Sequence, residues 1–392
     1  MTRTGQVTYK DQIIGTLSEM PTGGTSFAYS DEWISNTIAC TFPIHQRSFE
    51  WKNGLHPFFQ NLCPEGWLRD GQAKAGRIID DRDDFGFLLR FGKDCIGALG
   101  IIGLSEVVLS FQDEMSASIE AHKTISGIQK KLLAYKEDGK FHASRDGKPA
   151  SHIAKFNTDR LRTAVQNEYK SLRLAQKILG EPYVTKFELG TVCNETALVV
   201  ERFDRQSINH PEDSPKLRME EFAQILSKSS AQKYEGSYEE IAAAISEHSS
   251  SPQVDLQLYF KQVVFSMIIG NCDAHLKNFA LVEVPLRGLR LSPAYDLLNT
   301  VMYWQEGYST NSALAICGDK LQHDKIERRI LMEFGAKIGL ERAAVELTLS
   351  KLHKDFKAAK DILRPPAAEE PDGFHNRYKE IVDSAVLRML EE

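Results

Sequence analysis

The chain has 392 residues, enough to bury one large core or two to three smaller ones. Hydrophobic residues at 42% and charged residues at 26% are the balance of a soluble globular protein, and no apolar run reaches the length that spans a bilayer, so no membrane partner is expected. A net charge of -6 argues against nucleic acid as the main direct partner. Residues 1–12 lack an apolar signal core. The six scattered cysteines, Cys40, Cys63, Cys95, Cys193, Cys272 and Cys317, form no CxxC pair and read as reduced thiols of a cytoplasmic protein.

Residues 1–105 read as a small mixed domain whose apolar stretches are short and broken by turns, among them Gln12–Leu17, Phe85–Phe91 and Gly97–Leu104. Residues 105–123 mix strand-like and polar residues and read as a connection. Next, Leu132–Tyr135 and Lys140–Ala143 flank Asp138-Gly139, a hairpin signal. Asp146-Gly147 then precedes an apolar strand, Ile153–Phe156. A helix fits Glu168–Leu179, with Asn167 as its cap and Gly180 and Pro182 as its stop. Strands are expected at Val184–Leu189 and Thr196–Phe203.

After Asp204 the texture turns helical. Helices are expected at Met219–Leu226, at Tyr238–Glu247 behind a Ser237/Glu240 capping box, and at Val254–Ile269. Short strands at Phe279–Val284 and Leu289–Leu291 follow, then several helices between Lys325 and Glu392, interrupted by Pro365-Pro366. A β-rich half followed by a helical half is an α+β, two-lobed layout with room for a cleft. The expected boundaries are 1–105 for the extra N-terminal domain, 106–206 for a β-rich lobe and 207–392 for a helical lobe.

Phosphoryl transfer needs a clamp on the phosphates, magnesium held by carboxylate and amide oxygens, and a carboxylate beside the incoming hydroxyl. In protein kinases the base Asp and a metal-binding Asn lie five residues apart on one loop; a hairpin and a second metal-binding Asp follow. Here Gly270-Asn271-Cys272-Asp273-Ala274-His275-Leu276-Lys277-Asn278 follows a long helix, and Asp273 and Asn278 are five apart. The hairpin follows at once, then Ser292-Pro293-Ala294-Tyr295-Asp296. Taken singly, Asp273 and Asn278 are ordinary turn formers and Asp296 an ordinary loop residue. The joint order of helix, Asp, five-step Asn, hairpin and Asp is far harder to obtain by chance.

Upstream, Lys155 sits in the apolar strand Ile153–Phe156, poised for α- and β-phosphates, and Glu168 is placed to hold it in an ion pair; the bland alternative is a snorkelling surface lysine. The run Thr124-Ile125-Ser126-Gly127-Ile128-Gln129-Lys130-Lys131 offers backbone N–H groups to phosphates, although it is neither GxGxxG nor a Walker A sequence. The apolar run Leu198–Val200 enters a charged segment, Glu201-Arg202-Phe203-Asp204-Arg205. It is placed for Glu201 and Phe203 to offer backbone groups to adenine; otherwise it is a strand end with a solvated ion cluster.

These segments resemble the HipA family of serine/threonine kinases, the toxins of toxin–antitoxin pairs. The resemblance is carried by Ile125–Lys131, Ser151–Phe156, Asn167-Glu168-Tyr169, Val200–Arg205, Gly270–Phe279 and Leu291–Asp296, and in the first domain by Phe58–Gly66 and Gly92–Leu99. It implies Asp273 as catalytic base and Asn278 and Asp296 as Mg²⁺ ligands. It implies an ATP site formed by Ser126, Gly127, Ile128, Gln129, Lys130, Lys131, Lys155, the hinge Glu201, Arg202 and Phe203, and His275, Leu276, Lys277, Asn278 and Tyr295. It also implies autophosphorylation at Thr124 or Ser126. A phosphate there adds roughly −1.5 to −2 charge beside ATP's own phosphates and would expel the loop, a self-limiting switch. The expected partners are a protein substrate such as an aminoacyl-tRNA synthetase, a small HipB-like DNA-binding antitoxin, and operator DNA reached indirectly through it. Competing readings are a small-molecule or lipid kinase, which shares the same phosphate chemistry, and a non-catalytic corepressor bound to an antitoxin, which the intact Lys155, Asp273, Asn278 and Asp296 argue against. Direct DNA contact by basic residues of the first domain is a third, which the charge balance supports little.

Overall fold

The computed structural model describes residues 2–76, 78, 80–103, 115, 118, 119, 129–145, 148, 150–206, 215–364 and 373–391. The chain forms two compact units. The first comprises Met1–Phe156, Leu189–Gln232 and Val282–Pro285; the second comprises Asn157–Glu188, Lys233–Leu281 and Leu286–Glu392.

The first unit carries two five-stranded sheets. One is built from β1 (Thr4–Tyr9), β2 (Gln12–Glu19), β3 (Thr25–Tyr29), β4 (Ser48–Trp51) and β5 (Leu99–Gly103) in the order β4-β3-β2-β1-β5. The sheet sends Val7, Leu17, Phe27 and Ile101, together with Ile14 at a register shift between β1 and β2, into a core shared with Phe42, Phe58, Phe59 and Leu88. The apolar stretch Phe85–Phe91 is a helix, Asp84–Phe91, capped by the Asp83 carboxylate on the Gly86 N–H.

The second sheet has the order β7-β6-β8-β10-β9, from β6 (Lys131–Glu137), β7 (Lys140–Ala143), β8 (His152–Phe156), β9 (Phe187–Val192) and β10 (Glu195–Glu201). The Asp138-Gly139 hairpin forms where expected, both residues having positive φ. The strands expected at Val184–Leu189 and Thr196–Phe203 are displaced: a single 3-10 turn, Glu181–Tyr183, and an extended Val184 precede β9, and β10 ends at Glu201. One face of the sheet, with Leu132, Ala134, Ala154, Phe156, Ala197 and Val199, forms a core with Leu68.

The expected helix Met219–Leu226 is instead a short strand, β11 (Met219–Glu221), and one helical turn, Phe222–Ile225, joined by a Glu221/Gln224 capping box. The Arg218–Glu220 ion pair and the Glu220 carboxylate on the Cys40 N–H hold that segment extended, so tertiary bonding overrides helical propensity.

The second unit is mainly helical. Its axis is Pro252–Ile268, half-exposed in its first turn and fully buried from Gln262 to its end. The helix Tyr238–His248 begins with the expected Ser237/Glu240 capping box, and Phe374–Leu390 joins through Tyr378, whose hydroxyl lies 2.8 Å from Ser171 Oγ on the helix Ala164–Leu179. That helix starts a full turn before the expected Glu168, because the Asn157 side chain accepts from the Val165 N–H. Asn167 is therefore an interior, buried residue and not the cap. Arg328–Lys337 and Arg342–Ala358 complete the packing, and Pro365-Pro366 lie outside the described residues. No described helix is long and apolar enough to cross a membrane.

Candidate active site

The loop Gly270–Asn278 is launched by the way its helix ends. Gly270 adopts φ +73°; its N–H reaches the Met267 carbonyl at 3.1 Å and the Asn271 N–H reaches Ser266 at 2.8 Å. This is a Schellman cap, which needs a residue without Cβ strain at that position. A Cβ on Gly270 would also lie 2.9 Å from Asn299 Oδ1. The Gly270 carbonyl then accepts from the Thr300 and Val301 N–H groups at 3.0 and 3.1 Å, and Thr300 Oγ1 accepts from the Cys272 N–H at 2.8 Å. The segment that follows Asp296 is thereby tied to the loop.

Asn271 links the two acidic positions directly. Its side-chain oxygen accepts from the Asp273 N–H at 3.2 Å and its amide donates to the Asp296 carbonyl at 3.3 Å. Asp296 itself has φ +52°. The strands between the two are β12 (Ala280–Val284) and β13 (Gly288–Leu291). Buried Asp255 anchors the return of β13, accepting from Arg290 at 2.8 Å and from the Leu291 N–H at 2.9 Å. Asn299 and Asn167 exchange reciprocal bonds of 2.9 and 3.0 Å, pinning the chain just beyond Asp296 to the helix Ala164–Leu179.

The Asp273 carboxyl accepts from the Tyr234 hydroxyl at 2.7 Å. Burial pushes its pKa up; the Tyr234 hydrogen bond and the Lys233 charge oppose that, and the Asp296 charge adds to it. Asn278 folds back so that its side-chain oxygen accepts from the His275 N–H at 3.2 Å. His275 packs edge-on against Tyr234, with ring centroids 5.0 Å apart. Leu276 and Lys277 are buried, and the Tyr295 hydroxyl donates to the Lys277 carbonyl at 2.9 Å. The structure therefore gathers Asp273, His275, Leu276, Lys277, Asn278, Tyr295 and Asp296 into one neighbourhood of the second unit. Glu168 is buried in the same unit, on the helix Ala164–Leu179.

The other expected nucleotide residues belong to the first unit. Lys155 lies on β8, opposite Lys131 of β6 and Leu198 of β10. Alternation places these three on one face with Leu133 and Val200. Both lysines are buried. Lys130 is committed elsewhere: its ammonium pairs with Glu195 at 2.8 Å and lies 5.0 Å from the centroid of Phe156, whose side chain points to the opposite face from Lys155. Gln129, Glu201 and Phe203 are described; Thr124, Ser126, Gly127 and Ile128 lie outside the described residues.

The Arg202 side chain is turned into the interior of the first unit. Its guanidinium is buried, binds Asp204 at 2.6 Å and donates to the Ala150 and Cys95 carbonyls, both at 3.1 Å. Asp204 also accepts from Arg205 at 2.8 Å and from the Gly97 N–H at 2.7 Å, while Arg205 reaches Asp94 at 2.7 Å. The charged run that reads as a solvated cluster is thus a buried clasp on residues 94–97. Gly97 has φ +77°, and a Cβ there would meet the Met219 carbonyl at 2.9 Å. Sequence reasoning missed Tyr234, Asn299 and Thr300, whose partners lie far along the chain and which no local pattern marks, and it took Asn167 for a helix cap.

The sequence matches the model of the HipA-like C-terminal domain over residues 123–360 and that of the HipA N-terminal domain over residues 5–102, and the chain belongs to the HipA family of kinase toxins. It is 25% identical to the serine/threonine-protein kinase toxin HipA of Shewanella oneidensis over 94% of this chain and 92% of that protein. It is 29% identical to the putative kinase Y4dM of Sinorhizobium fredii over 74% of this chain and 75% of that one. The fold is similar to HipA in the solved complex of Shewanella oneidensis MR-1 HipA, HipB and operator DNA, with a TM-score of 0.78, 22% identity and coverage of 97% and 96% of the two chains. The architecture is accordingly protein-kinase-like and α+β, with a small N-terminal domain.

Proposed function

We propose that the chain transfers the γ-phosphate of ATP to a hydroxyl of a protein, with Asp273 as the base. The observation that carries this reading is the tie that Asn271 makes between the backbones of Asp273 and Asp296, with Asn278 on the same loop. Asn278 and Asp296 offer hard oxygen donors, one amide and one carboxylate. That set suits magnesium, which keeps water and phosphate oxygens in its remaining positions. When bound, the ion would neutralise charge on the phosphates. Asp273 accepts the proton of the incoming hydroxyl as its oxygen bonds to phosphorus and ADP departs. We assign Lys155 to the phosphates and the backbone of Glu201–Phe203 to adenine.

Kinship supports the finer reading of a serine/threonine kinase toxin that phosphorylates a translation component such as an aminoacyl-tRNA synthetase and limits itself by phosphorylation at Thr124 or Ser126. The Shewanella protein assembles with HipB and operator DNA; we propose that this chain likewise binds a small antitoxin and reaches DNA through it. The test is incubation of the purified chain with magnesium, radiolabelled ATP and a cell lysate. Discrete labelled proteins are expected, and none with Asp273→Asn. Label confined to small molecules, or equal labelling by the variant, overturns the reading.

A further inference from the structure

Tyr234 lies on the segment between the 3-10 turn Ser230–Gln232 and the helix Tyr238–His248. Its hydroxyl donates to Asp273 Oδ1 at 2.7 Å. A carboxylate offers two oxygens and about four lone-pair directions, so this bond leaves Oδ2 open to a second donor. The phenol can be read in two ways. It is either a mimic of the substrate hydroxyl that must swing away, or a fixed brace.

The tethering of the segment decides between them. Before the tyrosine, the Lys233 carbonyl accepts from the Leu276 N–H at 3.1 Å, within the catalytic loop itself. At the tyrosine, the carbonyl accepts from Lys320 Nζ at 2.8 Å. The ring is flanked by His275, edge-on at 5.0 Å, and by the Lys233 ammonium at 5.5 Å. A backbone tied at consecutive carbonyls and a ring held between two neighbours make a brace. We infer that Tyr234 is a positioning residue for phosphoryl transfer, holding Oδ1 of Asp273 so that Oδ2 faces the incoming hydroxyl. This rests on the reading of Asp273 as the base.

The experiment compares wild type, Tyr234→Phe and Lys320→Met with radiolabelled Mg·ATP and lysate protein as acceptor, alongside the affinity of each for a fluorescent N-methylanthraniloyl ATP. Phenylalanine keeps the ring contacts and removes only the hydroxyl. Lys320 is exposed, so its variant loosens the backbone tie without entering the core. Tyr234→Phe should lower kcat roughly tenfold, the scale of one hydrogen bond to a charged group, with KM for ATP and analogue affinity unchanged. Lys320→Met should give a smaller loss of the same kind. Unchanged turnover in both variants overturns the inference. A rise in turnover with Tyr234→Phe also overturns it in favour of the plug, and a KM that worsens with kcat reduces Tyr234 to a structural residue. A wild-type chain that binds the analogue and labels nothing removes the kinase reading, and the inference with it, whatever the variants do.

Discussion

Replacing Asp204 by asparagine tests whether the buried clasp holds the first unit together. The carboxylate accepts four hydrogen bonds: one on Oδ1 from Arg202 at 2.9 Å, and three on Oδ2, from Arg202 at 2.6 Å, Arg205 at 2.8 Å and Gly97 at 2.7 Å. Asparagine fills the same space. Its NH₂ group at the Oδ2 position sets a donor against three donors, and turning it over merely moves the clash to the Oδ1 side. Either way two buried guanidiniums lose a shared negative charge and keep Asp94 as the neighbouring carboxylate. Removing one partner of a buried ion pair costs about 3–5 kcal/mol, and about 4 kcal/mol is expected here. At about 2–4 °C per kcal/mol for a domain of 150–250 residues, thermal unfolding should shift down by roughly 10 °C. The control is Glu333→Gln, which breaks an exposed pair with Lys337 at 3.0 Å and should leave the melt unchanged. The two arginines hold the Asp204 carboxyl far below the usual range despite its burial. A lowered folded-state pKa contributes stability that is complete above the unfolded value of about 4 and fades as pH falls below it. The gap between wild type and variant should therefore be constant from about pH 5 to pH 8, a range that lies above that value. A loss below about 1 kcal/mol, or a gap that closes near neutrality, would refute the clasp as an energetic element.

Asp273→Asn keeps the Tyr234 bond available to its carbonyl oxygen and should melt with the wild type, while phosphoryl transfer falls by roughly 10²–10⁴-fold, the typical worth of a general base; labelling assays and melting curves read both. Burial holds His56 down at about 4, and its Nδ1 accepts from the Phe58 N–H at 3.1 Å. Its folded-state pKa is lowered, so the unfolded chain takes the proton first. Stability should be complete above about pH 6.5 and decline toward pH 4, by about 1 kcal/mol at pH 5 once partial exposure is discounted; urea melts at pH 7.5 and 5 would show a larger decline in the wild type than in His56→Asn, because His323, also lowered by burial, is common to both. Asn167→Ala removes both bonds to the Asn299 backbone. It should cost about 2–3 kcal/mol and, by loosening the segment after Asp296, lower transfer more than melting predicts; unchanged transfer in the folded variant would separate that anchor from the site.

Features set by neighbours in the chain were legible from residues alone. The Ser237/Glu240 capping box, the Asp138-Gly139 hairpin and the long helix ending at Gly270 are decided within a turn or two, by side-chain caps and by glycine's tolerance of positive φ. The spacing of Asp273, Asn278 and Asp296 around a hairpin belongs to the same class, because a short loop and a β-ribbon leave the chain few ways to go. Tertiary structure decided the rest. Met219–Glu221 has helical propensity but is drawn into a strand by Glu220, Arg218 and Cys40. Asn167 looks like a cap and is a buried anchor for a loop 132 residues away. The Arg202 side chain reads as part of a solvated ion cluster and is sealed against residues 94–97. Tyr234 is unremarkable in sequence and touches the carboxylate 39 residues further on. Short-range hydrogen bonding is encoded within a window of a few residues, whereas a buried polar group must find whichever donor or acceptor the whole fold brings to it.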